Sequence, residues 1–218
     1  MESDRVLGMF KFGKRQHIEQ FAHGLLYMNP LGYFIDQEAT SVRSDPHEGT
    51  SHMVQSPDAL LQVKVEGEFK DVGTIQGAIR GQNPPDLKTN LFCMYALRAS
   101  VSDTLVDSRN QAFGDTFAVL VQFDDFMRRV KAAVLNSSHG LQYHLVEYVD
   151  ESSYQGPVGI FRKDSCFAYQ SEFRIALLPG TGMPYPLQVG DLSDIIIVGP
   201  LSELNQRLRI VQAGASVQ

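Results

Sequence analysis

The residues best suited to chemistry in this 218-residue chain lie between Phe161 and Leu178 (FRKDSCFAYQSEFRIALL). Read as a strand, the second half sets Phe167, Tyr169, Ser171, Phe173, Ile175 and Leu177 on one side. Ala168, Gln170, Glu172, Arg174 and Ala176 fall on the other. That second side carries an amide, a carboxylate and a guanidinium about 6 to 7 Å apart, close enough to converge on one ligand. A glutamate projecting from a strand into a cleft can stabilise the oxocarbenium ion formed when a bond to an anomeric carbon breaks. Loss of nicotinamide from NAD is a reaction of this kind. It also calls for a guanidinium to hold phosphates and an aromatic face for the nicotinamide ring. The competing reading is a half-exposed strand whose polar face meets water.

The elements that must position this stretch can be read along the chain. Val6 to Phe12 predicts an opening strand, stopped by Gly13. Ile18, Phe21 and Ala22 recur at helical spacing within Lys14 to His23, and Gly24 stands where a left-handed cap is expected. Leu25 to Met28 runs into the turn Asn29-Pro30-Leu31-Gly32, which Tyr33-Phe34-Ile35 follows, and the whole reads as a compact strand, helix, strand opening. The polar run from Asp36 to Ser56 reads as a solvated loop or as a loop that enters a site. The second reading nominates Arg43, Asp45 and Glu48.

Leu61 to Phe69 alternates as one strand with a wet face, with Val72 to Ile79 as its hairpin partner. Asn90 to Leu97 is almost continuously apolar and reads as a buried central strand, in which the Tyr95 phenol needs a partner. Thr116 to Phe123 repeats that pattern, and Asp124 to Leu135 is an amphipathic helix with Phe126, Val130, Ala133 and Val134 inward. Strands at His144 to Val149 and Asp194 to Val198 follow, the latter buried, and a helix over Glu203 to Ile210 closes the chain. Strands outnumber helices in irregular order. The expectation is one α+β domain over 1–218, with a mixed, mainly antiparallel sheet and a few flanking helices.

Composition narrows the function classes. A formal charge of −6 argues against a general grip on nucleic-acid backbone. The two cysteines, Cys93 and Cys166, sit in apolar runs and read as reduced, packed thiols of a cytoplasmic protein. Neither an export signal nor a membrane span is expected. No phosphate-cradling glycine loop and no G-x-S-x-G elbow occurs, and the histidines show no metal-ligand spacing, so no metal is expected. Asp58 followed by Glu68-Phe69-Lys70 spells the letters of a metal-dependent nuclease. On one continuous strand those carboxylates would lie about 30 Å apart, unless the chain bends near Gly67.

Gln170-Ser171-Glu172 resembles the catalytic Gln-x-Glu motif of the ADP-ribosyltransferases. Phe10-Lys11-Phe12, the helix His17 to His23 and Gly24-Leu25-Leu26 look like the start of their DNA-targeting toxin branch. The chain from about Lys11 to Leu177 also resembles an uncharacterised bacterial family with an Asn-Asp-Pro-x-Glu motif, a Tyr-Ala strand, and a late Lys before Glu-x-Arg. Here these are Ser44-Asp45-Pro46-His47-Glu48, Tyr95-Ala96, Lys163 and Glu172-Phe173-Arg174. The resemblance implies an ADP-ribosyltransferase-like fold with NAD as substrate, Glu172 as catalytic carboxylate and Gln170 positioning the acceptor. Arg43 or Arg174 would hold phosphates, Tyr33 or Tyr95 would lie against nicotinamide, and Lys11 on the first strand would also bind the cofactor. Asp45, Glu48 and Lys163 would be substrate-contacting or structural. The acceptor would be a nucleic acid or protein, or water in a glycohydrolase, in a toxin or phage-defence setting. The sequence departs from the pattern at Lys11, where the transferases carry Arg or His, and has no Ser-Thr-Ser on its middle strand. The alternative is a module that recognises a nucleotide or a protein without chemistry.

Overall fold

The computed structural model describes residues 5–36, 45, 47–56, 59–99 and 105–209. The chain opens with β1 (Val6–Gly13), α1 (Arg15–Ala22) and β2 (Leu25–Pro30). Ile18 and Phe21 form the buried stripe of α1, and the chain reverses at Gly24, whose φ is +89°. A Cβ at Gly24 would stand 2.0 Å from the Gly190 carbonyl oxygen, so this turn needs glycine both for its dihedral and for its close approach. Next comes α2 (Leu31–Asp36), a helix that begins inside the turn expected over Asn29 to Gly32 and takes in Tyr33 to Ile35. Leu31 and Phe34, one turn apart, pack inward while Tyr33 points out.

The next four strands are β3 (Thr50–Gln55), β4 (Leu60–Val65), β5 (Glu68–Thr74) and β6 (Ala78–Gln82). β4 pairs with β5, and β3 with β6, both antiparallel. The single strand expected over Leu61 to Phe69 is therefore a hairpin, and the partner expected over Val72 to Ile79 is divided between β5 and β6. Glu66 and Gly67 both take positive φ, 53° and 93°, as a tight two-residue hairpin turn requires. Glu68 stands beside that turn opposite Val65, and Asp58 lies outside the described residues.

After β7 (Asn90–Arg98) come β8 (Thr116–Leu120), α3 (Phe123–Val134), β9 (Gly140–Leu145) and β10 (Glu147–Val149). The remaining elements are β11 (Gly156–Pro157), β12 (Arg162–Asp164), β13 (Glu172–Leu178), β14 (Tyr185–Gln188), β15 (Ile196–Pro200) and α4 (Leu204–Arg207). The fold is α+β, with a mainly antiparallel main sheet in the order β14-β2-β7-β1-β8-β15; β13 lies on the other edge of β7 and β9 beyond it. The strand expected over His144 to Val149 breaks at Val146, whose N–H reaches the Glu172 carbonyl, and β10 then pairs in parallel with β12 in a separate layer. Among the described residues β15 bonds only β8, and Ile197 and Val198 are exposed, so the buried strand expected over Asp194 to Val198 is an edge. The closing helix expected over Glu203 to Ile210 is cut to the single turn of α4, since Leu208 returns to extended backbone.

β7 is apolar on both faces because both faces are covered. Phe92, Met94 and Ala96 join Phe173, Ile175 and Leu177 of β13 in the main core, against Ile18 and Phe21 of α1 and Phe126, Val130 and Val134 of α3. Full burial of each such side chain is worth about 1.5 to 3 kcal/mol. The opposite face carries two smaller clusters. One is built on Phe10, Tyr95, Phe117, Leu201 and Leu204, the other on Leu31, Leu91, Ile160 and Ala176. The edge of β7 is split as well: β2 bonds it at Asn90 and Leu91, and β1 only from Tyr95 onward.

Candidate functional site

Between the two smaller clusters the second face opens into a cleft, and its floor is an ion-pair quartet. β13 supplies Glu172 and Arg174, which stand opposite Tyr95 and Cys93 of β7. β12 supplies Lys163, and the turn leading into β3 supplies Glu48. Arg174 donates from Nε to Glu172 Oε2 at 2.8 Å, from Nη1 to Glu48 Oε1 at 2.8 Å and from Nη2 to Glu48 Oε2 at 3.0 Å. Its Nη1 also reaches the Ile160 carbonyl at 2.6 Å. Lys163 Nζ lies 2.8 Å from Glu172 Oε1 and 3.1 Å from Glu48 Oε2, and donates to Gln170 Oε1 at 3.0 Å. Two carboxylates and two cations therefore close on one another, each with more than one partner.

Burial opposes charge on all four groups, and their mutual attraction overcomes it. Desolvation alone would raise the Glu172 carboxyl, yet the Arg174 and Lys163 charges hold it far below the usual carboxylate range. Glu48 is lowered against the same burial by the same two cations. Lys163 is raised, because Glu172 and Glu48 outweigh its desolvation, and Arg174 is raised likewise. A ring of this kind holds its charges from acid to alkaline pH.

Gln170 is not on the strand with Glu172. Asp164 accepts the Cys166 N–H and starts a 3-10 turn over Ser165–Gln170, which ends at Ser171 in the left-handed region with φ 40° and ψ 52°. The expected alternation therefore holds only from Glu172 onward, and Gln170 reaches the quartet from the side. That same turn leaves Cys166 exposed, against the packed thiol expected of it. Behind the strand, Tyr148 accepts the Glu172 N–H at 2.9 Å.

The cleft has a volume of about 140 Å³. Phe12, Phe34, Leu91, Met94, Tyr95 and Phe113 form its walls, and Lys11, Cys93, Asn110, Gln170 and the quartet supply the polar and thiol groups. Lys11 lies on β1 and reaches across the split in the sheet, with its Nζ 2.5 Å from the Cys93 carbonyl and 4.5 Å from the centre of the Phe92 ring. The Tyr95 ring packs 5.3 Å from Phe12, and its hydroxyl donates to Leu105 O at 3.4 Å. Burial, with Asp107 nearby, pushes that phenol up to about 12. Burial also pushes the Cys93 thiol up to about 11, so it is neutral at physiological pH.

No family model, curated protein or solved structure matches this chain.

The structure brings Glu172, Gln170, Tyr95, Arg174, Lys11, Glu48 and Lys163 to one cleft. Tyr33 is not among its lining residues: it is 42% exposed on the outer side of α2, and Phe34 beside it supplies the aromatic wall. Arg174, at 2% exposure, spends four of its N–H groups on Glu172, Glu48 and Ile160. Arg43 and Ser44 lie outside the described residues. Asp45 is buried beside the quartet, accepts the His47 N–H at 2.8 Å, and is raised by burial despite that bond. Its carboxylate, His47 and Glu151 have ligand atoms within 4.8 Å of one another, a set that could hold a metal ion. Glu151 already meets His47 at 2.7 Å and Arg80 at 2.8 Å.

The sequence reading missed Phe12, Phe34, Cys93, Asn110, Phe113 and Tyr148. Phe12 and Cys93 were legible as strand residues, one two places beyond Phe10 and the other two before Tyr95. Which sheet face opens into a cleft leaves no such signal.

Proposed function

We propose that the cleft binds the flat heteroaromatic ring of a nucleotide-type ligand, the nicotinamide of NAD or a nucleobase. The observation that carries this reading is a ring-sized hollow walled by Phe12, Phe34, Tyr95 and Phe113 and floored by oriented polar groups. An apolar cavity of about 150 Å³ accepts benzene, so the space suits one ring and leaves the remainder of a nucleotide outside. Gln170 and Asn110 add side-chain amides to the lining, held in place by Lys163 and by the Asp107 and Tyr169 carbonyls. The quartet fixes the floor without adding net charge. Calorimetric titration with NAD, nicotinamide and nucleoside monophosphates tests this. Saturable binding that is lost in Phe34→Ala and retained in Tyr33→Ala supports it, and absence of binding across the series overturns it.

A second reading adds chemistry: NAD-dependent transfer of ADP-ribose, or hydrolysis of NAD. It is favoured by an ionised Glu172 that lines the cleft beside Gln170. It ranks second because each Glu172 oxygen already faces a cation, which offsets the field the carboxylate would lend to a developing oxocarbenium ion. Free nicotinamide released from labelled NAD by the wild-type chain and not by Glu172→Gln supports this reading. Equal release by the two proteins ends it.

A further inference from the structure

The hairpin β4–β5 shares no residue with the cleft and is built unlike the rest of the fold. Its strands pair with each other and with no other strand among the described residues. All of their residues are exposed, on both faces. They nonetheless carry Leu60, Leu61, Val63, Val65, Phe69 and Val72, with Phe69 at 66% exposure. A lone two-stranded hairpin is marginal in water, and apolar side chains gathered on one mark an interaction surface.

The two edges of this hairpin differ. On β5 the register shifts between Leu61 and Gln62, which face Gly73 and Asp71, leaving Val72 as an extra residue. A bulge followed by glycine blunts an edge against further pairing. β4 is regular from Gln62 to Val65 and presents an open edge.

We propose that β4 is the contact through which two copies of this chain associate, pairing antiparallel with β4 of the second copy about a two-fold axis at Val63. In that register Val63 meets Val63, and Leu61 meets Val65 twice, on one face. Gln62 meets Lys64 twice on the other. The only charged side chain of β4 is Lys64, so no like charges stand directly opposite. Gln62 already donates to Asp71 at 2.7 Å, which brings each Lys64 toward the Asp71 of the other copy. The segment is self-complementary, as a two-fold contact demands. The product is a four-stranded sheet β5-β4-β4-β5 that hides both open edges, with its bulged strands outermost.

Sedimentation velocity of the full chain over a wide concentration range tests this. The wild type is expected to dimerise. Val63→Lys and Val63→Glu, each placing like charges opposite one another at an exposed position, are expected to raise the dissociation constant tenfold or more while leaving the melting temperature of the monomer unchanged. An equimolar mixture of the two variants is expected to recover a dimer. A wild-type chain that stays monomeric overturns the proposal, whether or not it captures another protein. So does a dimer that Val63→Lys leaves intact, since it would use another face.

Discussion

Arg174 and Glu48 are 126 positions apart in the chain and meet through two parallel hydrogen bonds, at 2.8 and 3.0 Å. The arginine stands on a strand of the main sheet and the glutamate in the turn that leads into β3, so this fork clamps an outer layer onto the sheet. Lys163 and Glu172 complete the ring from β12 and β13. Because the ring floors the cleft, its integrity governs both stability and any ligand the cleft accepts.

Glu48→Gln leaves Arg174 buried with half its counter-charge. Breaking a buried pair by removing one member costs about 3 to 5 kcal/mol, and a loss of that size is expected in urea unfolding. A change under about 1 kcal/mol, the ordinary range of exposed pairs, would mean the ring is not held tightly.

Stability should vary with pH on both flanks. Glu172 and Glu48 are held below the ordinary value of 4.5, so their contribution is complete above that value and is lost as pH falls through their folded pKa values. Lys163 is held above 10.5, so its share is complete below that value and is lost as pH rises through its folded pKa. Asp45, raised from 3.8 by burial, acts oppositely: the native state holds its proton more tightly, which offsets part of the acid loss. A flat maximum of the melting temperature between roughly pH 5 and 10 is expected. In Glu172→Gln the acid-side fall should be shallower. Profiles of the same shape for the two proteins would count against this account.

Filling the cleft should remove ligand binding without harming the fold. Cys93→Leu adds bulk on the open face of β7, opposite Arg174 and beside Leu91 and Tyr95. NAD or nicotinamide affinity is expected to fall at least tenfold with little change in thermal stability. Undiminished affinity would place the ring elsewhere.

Thiol labelling separates the two cysteines. Cys166 is exposed and Cys93 is half-buried in the cleft wall, and both thiols are raised to about 11, Cys93 by burial and Cys166 by partial burial with the Asp164 carboxylate beside it. Mass spectrometry after brief alkylation should find Cys166 modified first, with Cys93 following more slowly through the cleft. Equal rates at the two sites would mean the cleft opens freely.

Gly24→Ala should be severely destabilising, by about 3 kcal/mol or more, because the added carbon meets the Gly190 carbonyl at 2.0 Å with φ at +89°. A melting temperature within a degree or two of wild type would show that the 22–24 and 189–192 segments can part without cost.

Much of the frame was legible in residue order alone. The period of Ile18 and Phe21 gave α1, that of Phe126, Val130 and Val134 gave α3, and the unbroken apolar run from Asn90 to Leu97 marked the central strand. Each is a local pattern repeated often enough to identify its period. The face carrying Glu172 and Arg174 was legible for the same reason, since alternation survives from Glu172 to Leu177. Leu61 to Phe69 was misread because the two-residue reversal at Glu66 and Gly67 leaves too few repeats on either side. What only the tertiary structure decided is which groups meet. Arg174 looked available for phosphates until folding spent it on Glu48 and Glu172. Gln170 seemed to share a strand with Glu172 until the left-handed Ser171 turned the chain. Periodicity is a property of neighbours in the chain. Charge pairing in a buried cleft is a property of neighbours in space, with desolvation making each group take whatever partner the fold supplies.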